Sequence, residues 1–338
     1  MPSVYTITRV SRVDLPYILF FLLHYLEFLR VDGMFLLLLF SDDKDKALFH
    51  EIVGSLDPVY SSRLHVVQGT NLQVHSMPPN VALGQMMDTI LATFPRFLEA
   101  TLESNDWLLS VDSDEYLYFP CDGHEYTLLR YLTRRSGSIL QIQFPWVSVE
   151  NTSPWLSPHP YDDILRLPWT DSTYMKSVVR VHPGLRYHDP HCFSYPGIHV
   201  DTTWVCDPSW ENETAPRLFH LHSMSLGTTL NKVLYHRLRE KSDEAQKEIL
   251  GNAIRDRDPN VLASLYKIRL IERDIQRKSV RPATFTLCPW FHEVRHRHHS
   301  LDTARFLEKE KEFLHARIDQ DAVEWIMESL QERLKNYK

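Results

Sequence analysis

Glycine is scarce in this chain, with ten residues in 338, and none falls in a GxGxxG or Walker-type loop. A fold with so few glycines has little means of cradling phosphate in backbone amides. Any phosphate it binds must be met by a metal ion or by side chains. Cysteine is scarce as well. Cys121, Cys192, Cys206 and Cys288 are widely spaced with no CxxC pair, which argues against a disulfide framework or a cysteine-built zinc cluster and fits a reducing compartment. A basic excess is missing: 37 Lys and Arg against 44 Asp and Glu give a net charge of −7. Broad nucleic-acid binding needs a basic surface that displaces counterions, so that class is set aside.

Long clean apolar runs are also missing. Residues 15–40 are strongly apolar, but His24, Glu27, Arg30 and Asp32 interrupt them. The uninterrupted stretch at their start, residues 15–23, falls well short of the roughly 20 residues that span a bilayer. Arg9 and Arg12 ahead of it resemble the start of a signal peptide, yet no small-residue cleavage site follows. The expectation is a soluble, cytoplasmic chain without a transmembrane segment, for which peripheral membrane association stays open. At 43% hydrophobic residues, the chain can build one large domain, or a domain with an appendage.

The pattern that is present alternates strands and helices. Val4–Val10 reads as a strand from its β-branched and aromatic residues. Asp14 ahead of Pro16 marks a helix start, and Ile18, Leu22, Tyr25, Leu26 and Leu29 recur at helical spacing. Gly33 breaks that pattern, and residues 34–40 form a second strand ending in Ser41-Asp42-Asp43. Leu64–Gln68, a helix over 86–103 and a strand over 107–111 follow. This alternation implies a largely parallel sheet flanked by helices, with ligands at the carboxyl ends of its strands. Thr8, Arg9, Asp42 and Asp112 stand at those ends and are candidates to converge on one cleft. Beyond them come a short helix over 124–134 and a long strand over 139–149. Residues 154–216 are rich in Pro and Trp and read as mostly irregular, with a strand near 176–181. After residue 226 the chain turns helical and charged, over 230–250, 261–278 and 301–334. The division expected is a core of residues 1–225 with a helical extension of 226–338 packed on it.

The sharpest feature is Trp107-Leu-Leu-Ser-Val-Asp112-Ser-Asp114-Glu115-Tyr. An apolar strand runs directly into three carboxylates. Such groups, placed where a strand meets solvent, can hold a divalent cation, and that cation a diphosphate. The spacing alone is weak, because Asp43-Lys-Asp45, Asp256-Arg-Asp258 and Asp319-Gln-Asp321 repeat it in charged surroundings. Only the first follows an apolar strand.

That segment resembles the W-x-x-x-x-D-x-D-E-[FY] core of GT-A glycosyltransferases, nearest to the family 92 and family 2-like group. Tyr17…His24-Tyr25…Val31-Asp32, Met34…Asp43, residues 139–146, Met175-Lys-Ser-Val-Val-Arg180 with His188-Asp-Pro-His191, and His220-Leu-His-Ser223 with Lys232 are similar to that group's blocks, in order. Ser11-Arg-Val-Asp14 replaces the usual K-N-E, and Arg30 stands where the group has glycine. The resemblance implies a GT-A-like α/β fold with a mixed, mainly parallel sheet. It implies a metal-dependent, inverting transfer of a sugar from a nucleotide-diphosphate donor, a UDP-sugar foremost, to a glycan or glycoconjugate hydroxyl. Asp114 and Asp112 would bind Mn²⁺ or Mg²⁺, completed by His222 or by its neighbour His220. Asp42 would contact the base or ribose, and Lys176 and Arg180 the phosphates. Glu150, Asp162, Asp163, Asp189 and Asp201 compete for the role of catalytic base, with Asp189 slightly ahead for its polar setting between His188 and His191. A metal-dependent phosphoesterase and a non-catalytic carbohydrate-binding relative are the competing classes. The tract His292-Glu-Val-Arg-His-Arg-His-His299 reads as a solvated loop.

Overall fold

The computed structural model describes residues 2–40, 42–68, 106–118, 128–133, 139–157, 159–167, 169–181, 185–189, 192–194, 204–206, 216–232, 251–252, 254–258, 260, 289–299, 304–316 and 318–335. The helices expected over 86–103 and 261–278, and most of that over 230–250, lie outside them.

The first three strands lie where periodicity puts them: β1 (Val4–Val10), β2 (Gly33–Leu38) and β3 (Leu64–Gln68). β1 runs parallel to β2 on one side and to β4 (Trp107–Ser110) on the other, and β3 adds parallel to β2. Every residue of β2 is buried, as a strand covered on both faces requires. Beyond β4 the sheet turns mixed. β7 (Trp169–Arg180) pairs antiparallel with β4 and with β6 (Gln141–Glu150). β11 (Arg217–Ser223) is parallel to β6, and β5 (Glu115–Tyr118) closes the far edge antiparallel to β11. The order is β3-β2-β1-β4-β7-β6-β11-β5, with β10 (Trp204–Cys206) also on β6. This is the mixed, mainly parallel α/β sheet expected. β8 (Arg186–Asp189) and β9 (Cys192–Ser194) form a separate two-stranded sheet.

The region expected to be irregular is therefore corrected: β7 runs for twelve residues through the middle of the sheet. Its Trp169 is fully buried against Phe219. Aromatic residues that read as loop by neighbouring prolines are here a half of a long antiparallel ladder, which sequence-local signals do not reveal.

α1 (Ile18–Leu23) continues directly into a π-turn, His24–Phe28. The expected apolar positions are buried, and so are the residues between them. A helix apolar on all sides must be covered on all sides. Its outer side is met by a C-terminal helix, Pro289–His299, in which His298 Nε2 sits 2.9 Å from Glu27 Oε2 and Arg297 pairs with Glu27 at 2.7 Å. Arg295 of that helix grips Asp162. The histidine-rich tract is thus a helix clamped to the core rather than a solvated loop. The spacing of Val294 and His298, both buried, was the readable sign. No helix among the described residues is long and apolar enough to cross a membrane.

The π-turn ends at Arg30, whose φ is 54°. This is the left-handed region that glycine adopts without steric cost, and Arg30 stands where the resembled group carries glycine. Arg63 donates to the carbonyls of Leu26 and Val31 on either side, at 2.9 and 3.0 Å, which holds the tight exit into β2. Relief of the left-handed strain predicts that Arg30→Gly stabilises the fold by about 0.5–1 kcal/mol. Urea unfolding checks this, and a less stable variant would contradict it.

Candidate active site

The strand order fixes where a ligand can sit. From β1 the chain proceeds through α1 to β2 on one side, whereas β4 lies on the other side and hands the chain on to the far edge. The loops after β1 and β4 therefore diverge, and such a switch point opens a crevice outside the carboxyl ends of the strands. Arg9, near the end of β1, and Asp112, just past β4, meet across it at 2.9 Å.

The acidic turn between β4 and β5 is held by backbone bonds, Glu115 N–H to the Asp112 carbonyl at 3.0 Å and Leu221 N–H of β11 to the Asp114 carbonyl at 2.9 Å. The Glu115 side chain folds back to accept from Asp112 N–H at 2.8 Å. Ser113 donates to Asp14 at 2.5 Å, and Tyr17 donates to the same carboxylate at 2.8 Å. Asp14 also accepts from Ser11 N–H and Oγ–H. The expected helix-start residue is thus the rivet joining the turn after β1 to the turn after β4.

Cations of the chain itself face these carboxylates. Lys176, 1% exposed, lies 2.7 Å from Asp112 Oδ2 and 3.6 Å from Glu115 Oε2. Arg9 takes the other Asp112 oxygen. Lys232 contacts Asp114 Oδ2 at 2.5 Å, and His220 Nε2 is 3.7 Å from the same atom. Burial pushes the Asp112 carboxyl up, but Lys176 and Arg9 outweigh it and hold it well below the usual carboxylate range. Asp114 is likewise lowered against burial, by Lys232. Burial raises Glu115 well above its ordinary value, and Lys176 offsets only part of that. Burial would lower both lysines, yet Asp112 and Glu115 raise Lys176 and Asp114 raises Lys232, so both stay charged. His220 is brought down to about 4 by burial, with Asp114 opposing, and is neutral at neutral pH. Its ring lies 4.1 Å from that of Trp146, which in turn faces Tyr174 at 5.3 Å.

Lys232 is delivered by a short helix, Leu226–Lys232, whose start is fixed by a buried carboxylate. Glu310, from the C-terminal helix Ala304–His315, accepts from Ser225, from Thr228 at 2.7 Å and from Leu156 N–H at 2.9 Å. A Cβ at Gly227 would stand 2.9 Å from Glu310 Oε1, so glycine is what lets the carboxylate approach. The C-terminal helices thereby reach the site.

Of the candidates expected from sequence, Arg9, Asp112, Asp114 and Lys176 come together. Thr8 is buried in β1, its hydroxyl without a hydrogen-bond partner among the described residues. Asp42 caps the helix Asp43–Gly54, accepting from Lys44 N–H at 2.8 Å. Arg180 does not join them. It pairs in register with Trp107 and lies 4.7 Å over that ring, at the opposite end of β4 from Asp112. Four residues of strand, about 13 Å, separate it from Lys176. His222 lies in β11 and Asp189 closes β8, and both side chains lie outside the described residues, as do Glu150's side chain and Asp201. Asp163 is engaged by Ser157 and Asn151. Lys232, Asp14 and Glu310 were not foreseen. Lys232 could have been found, since a lysine shortly after the late histidines was in the resemblance.

A cation held jointly by Asp112 and Asp114 does not match this arrangement. Among the described residues no group of three His, Cys, Asp or Glu surrounds a common point. Both Asp112 oxygens and one of Asp114 are already bonded to ammonium or guanidinium groups.

No protein-family model matches the chain, and no curated protein matches it. Among solved structures, the galactosyltransferase LgtC in complex with donor and acceptor sugar analogues is 12% identical at a TM-score of 0.25. That match covers 52% of this chain and 57% of LgtC, so the chain spans little more than half of LgtC's length. A mannosyltransferase from Pyrobaculum calidifontis, PcManGT, in complex with GDP-mannose and Mn²⁺, is 12% identical at a TM-score of 0.32, covering 99% of this chain and 82% of that one. Overlaps this loose do not carry the chemistry of either enzyme to this chain.

The π-turn supports the acidic turn from behind. Tyr25 donates to the Glu115 carbonyl at 2.9 Å, and His24 Nε2–H to the Leu117 carbonyl at 2.8 Å. Burial lowers His24 to about 3, so its ring is neutral and Nδ1 accepts from the Tyr161 hydroxyl at 2.6 Å. With a folded value below the unfolded one of about 6.5, only the unfolded chain binds this proton in between, and the His24 contribution to stability rises with pH. The stability advantage of the natural chain over His24→Gln is therefore expected to shrink from pH 7 to pH 5, by up to about 1.4 kcal/mol per unit below 6.5. Urea unfolding at both pH values measures it, and an advantage independent of pH would refute the assignment.

Proposed function

We propose that the chain is a glycosyltransferase that moves a sugar from a nucleoside-diphosphate donor to a hydroxyl acceptor. The observation that carries this reading is the convergence of Arg9, Lys176 and Lys232 on Asp112 and Asp114 at the switch-point crevice. With few glycines, phosphate must be met there by side chains, and these are side chains suited to it. Trp146, Tyr174 and His220 line up beside the charges, an aromatic wall of the kind on which sugar faces and bases pack.

In the reaction the bond between the anomeric carbon and the phosphate oxygen breaks, leaving its electron pair on the nucleoside diphosphate. The acceptor oxygen bonds to that carbon and gives its proton to a base. Charge grows on the departing phosphate, so preorganised cations stabilise the transition state more than the ground state. We place the base among the carboxylates past β6, Asp189 included, and the transfer as inverting.

The test is release of nucleoside diphosphate from a panel of nucleotide sugars by the purified chain, with and without Mn²⁺. Turnover of one donor class is expected, falling about a hundredfold or more in Asp114→Asn while thermal unfolding confirms a folded variant. If no nucleotide sugar is turned over and no nucleotide shifts the melting temperature in either condition, the reading is wrong.

A further inference from the structure

We infer that Arg9, Lys176 and Lys232 neutralise the donor diphosphate in place of a divalent ion, with Asp112 and Asp114 serving to position them. The inference rests on the site binding a nucleoside-diphosphate donor and specifies how it does so. The three cations come from three separate elements: Arg9 from β1, Lys176 from β7, and Lys232 from the helix that follows β11. They therefore reach Asp112 and Asp114 from three separate parts of the chain. Lys176 is fully buried, while Lys232 and Arg9 retain side-chain exposures of 23% and 36%, so charge runs from the floor of the crevice to its rim. The carboxylates hold the ammonium groups in place in the absence of ligand.

Lys232 is held in place with particular care. Its helix is anchored at Ser225 and Thr228 by Glu310, and Asn231 Nδ2 donates to the Glu310 carbonyl at 3.0 Å. A lysine needed only to offset Asp114 would not require a second buried carboxylate and a close-approach glycine to fix its helix. An ammonium has three N–H groups and a guanidinium five, so each can serve a carboxylate and a phosphate oxygen together. The departing diphosphate then receives its compensating charge from the protein, through hydrogen bonds already in place.

Calorimetric titration of UDP and of GDP into the full chain, in excess EDTA and in excess Mn²⁺, tests this. Binding of one nucleotide in EDTA is expected, weakened roughly tenfold or more by Lys232→Gln and largely kept by Lys232→Arg. Arg9→Gln, at the rim, supplies a second reading should Lys232→Gln not fold, as judged by its thermal unfolding. Binding that requires Mn²⁺ overturns the inference and leaves the donor reading standing. Binding in EDTA that neither variant weakens also overturns it. No binding in either condition overturns both.

Discussion

The structure turns on a cluster of carboxylates that could not be buried without cations to face them. Asp114 and Glu115 are buried, and Asp112 is two-thirds so. Stripping one partner from a buried ion pair typically costs about 3–5 kcal/mol, because the other charge is left uncompensated. The chain meets this demand by bringing Arg9 up from β1, Lys176 across from β7 and Lys232 down from the segment after β11. Strand order, the long β6–β7 ladder and the late helix all matter chiefly because they supply those partners.

A ring of hydrogen bonds holds this charged centre in register. Tyr25 and His24 grip β5 from behind, Asp14 ties the turn after β1 to Ser113, and β11 pins the Asp114 carbonyl. The C-terminal helices belong to the same construction. Val294, Phe306 and Phe313 join the main core, while Leu226 and Leu230 pack with Leu314, Val323 and Ile326 in a second cluster. Glu310 then transmits that packing to Lys232. A tail read from sequence as a charged extension is mechanically coupled to the crevice.

Much of this was legible before the fold was known. Period-two and period-3.6 patterns located β1, β2, β3, β4 and α1, since burial on both sheet faces writes itself into short-range apolar order. The Asp112–Glu115 turn stood out for the apolar strand ahead of it, and its repeats prove to be helix-edge or turn residues: Asp43 is almost fully exposed and Asp319 accepts from Asp321 N–H. What stayed hidden was long-range. Arg180 and Lys176 belong to one motif, and only the antiparallel register shows that they face opposite ends of β4. Asp14 looked like a helix start because its tie to Ser113 spans 99 positions. The metal expectation came from the strand context and the resemblance, and the cations that meet these carboxylates lie far away in sequence.

The most direct test of this account is a crystal structure of the chain with bound UDP or GDP grown in excess EDTA. The account predicts both phosphates in the crevice past β1 and β4, within hydrogen-bond distance, about 3 Å, of Lys176, Lys232 and Arg9 nitrogens. A nucleotide seated elsewhere, or phosphates that reach none of these three cations, would contradict it.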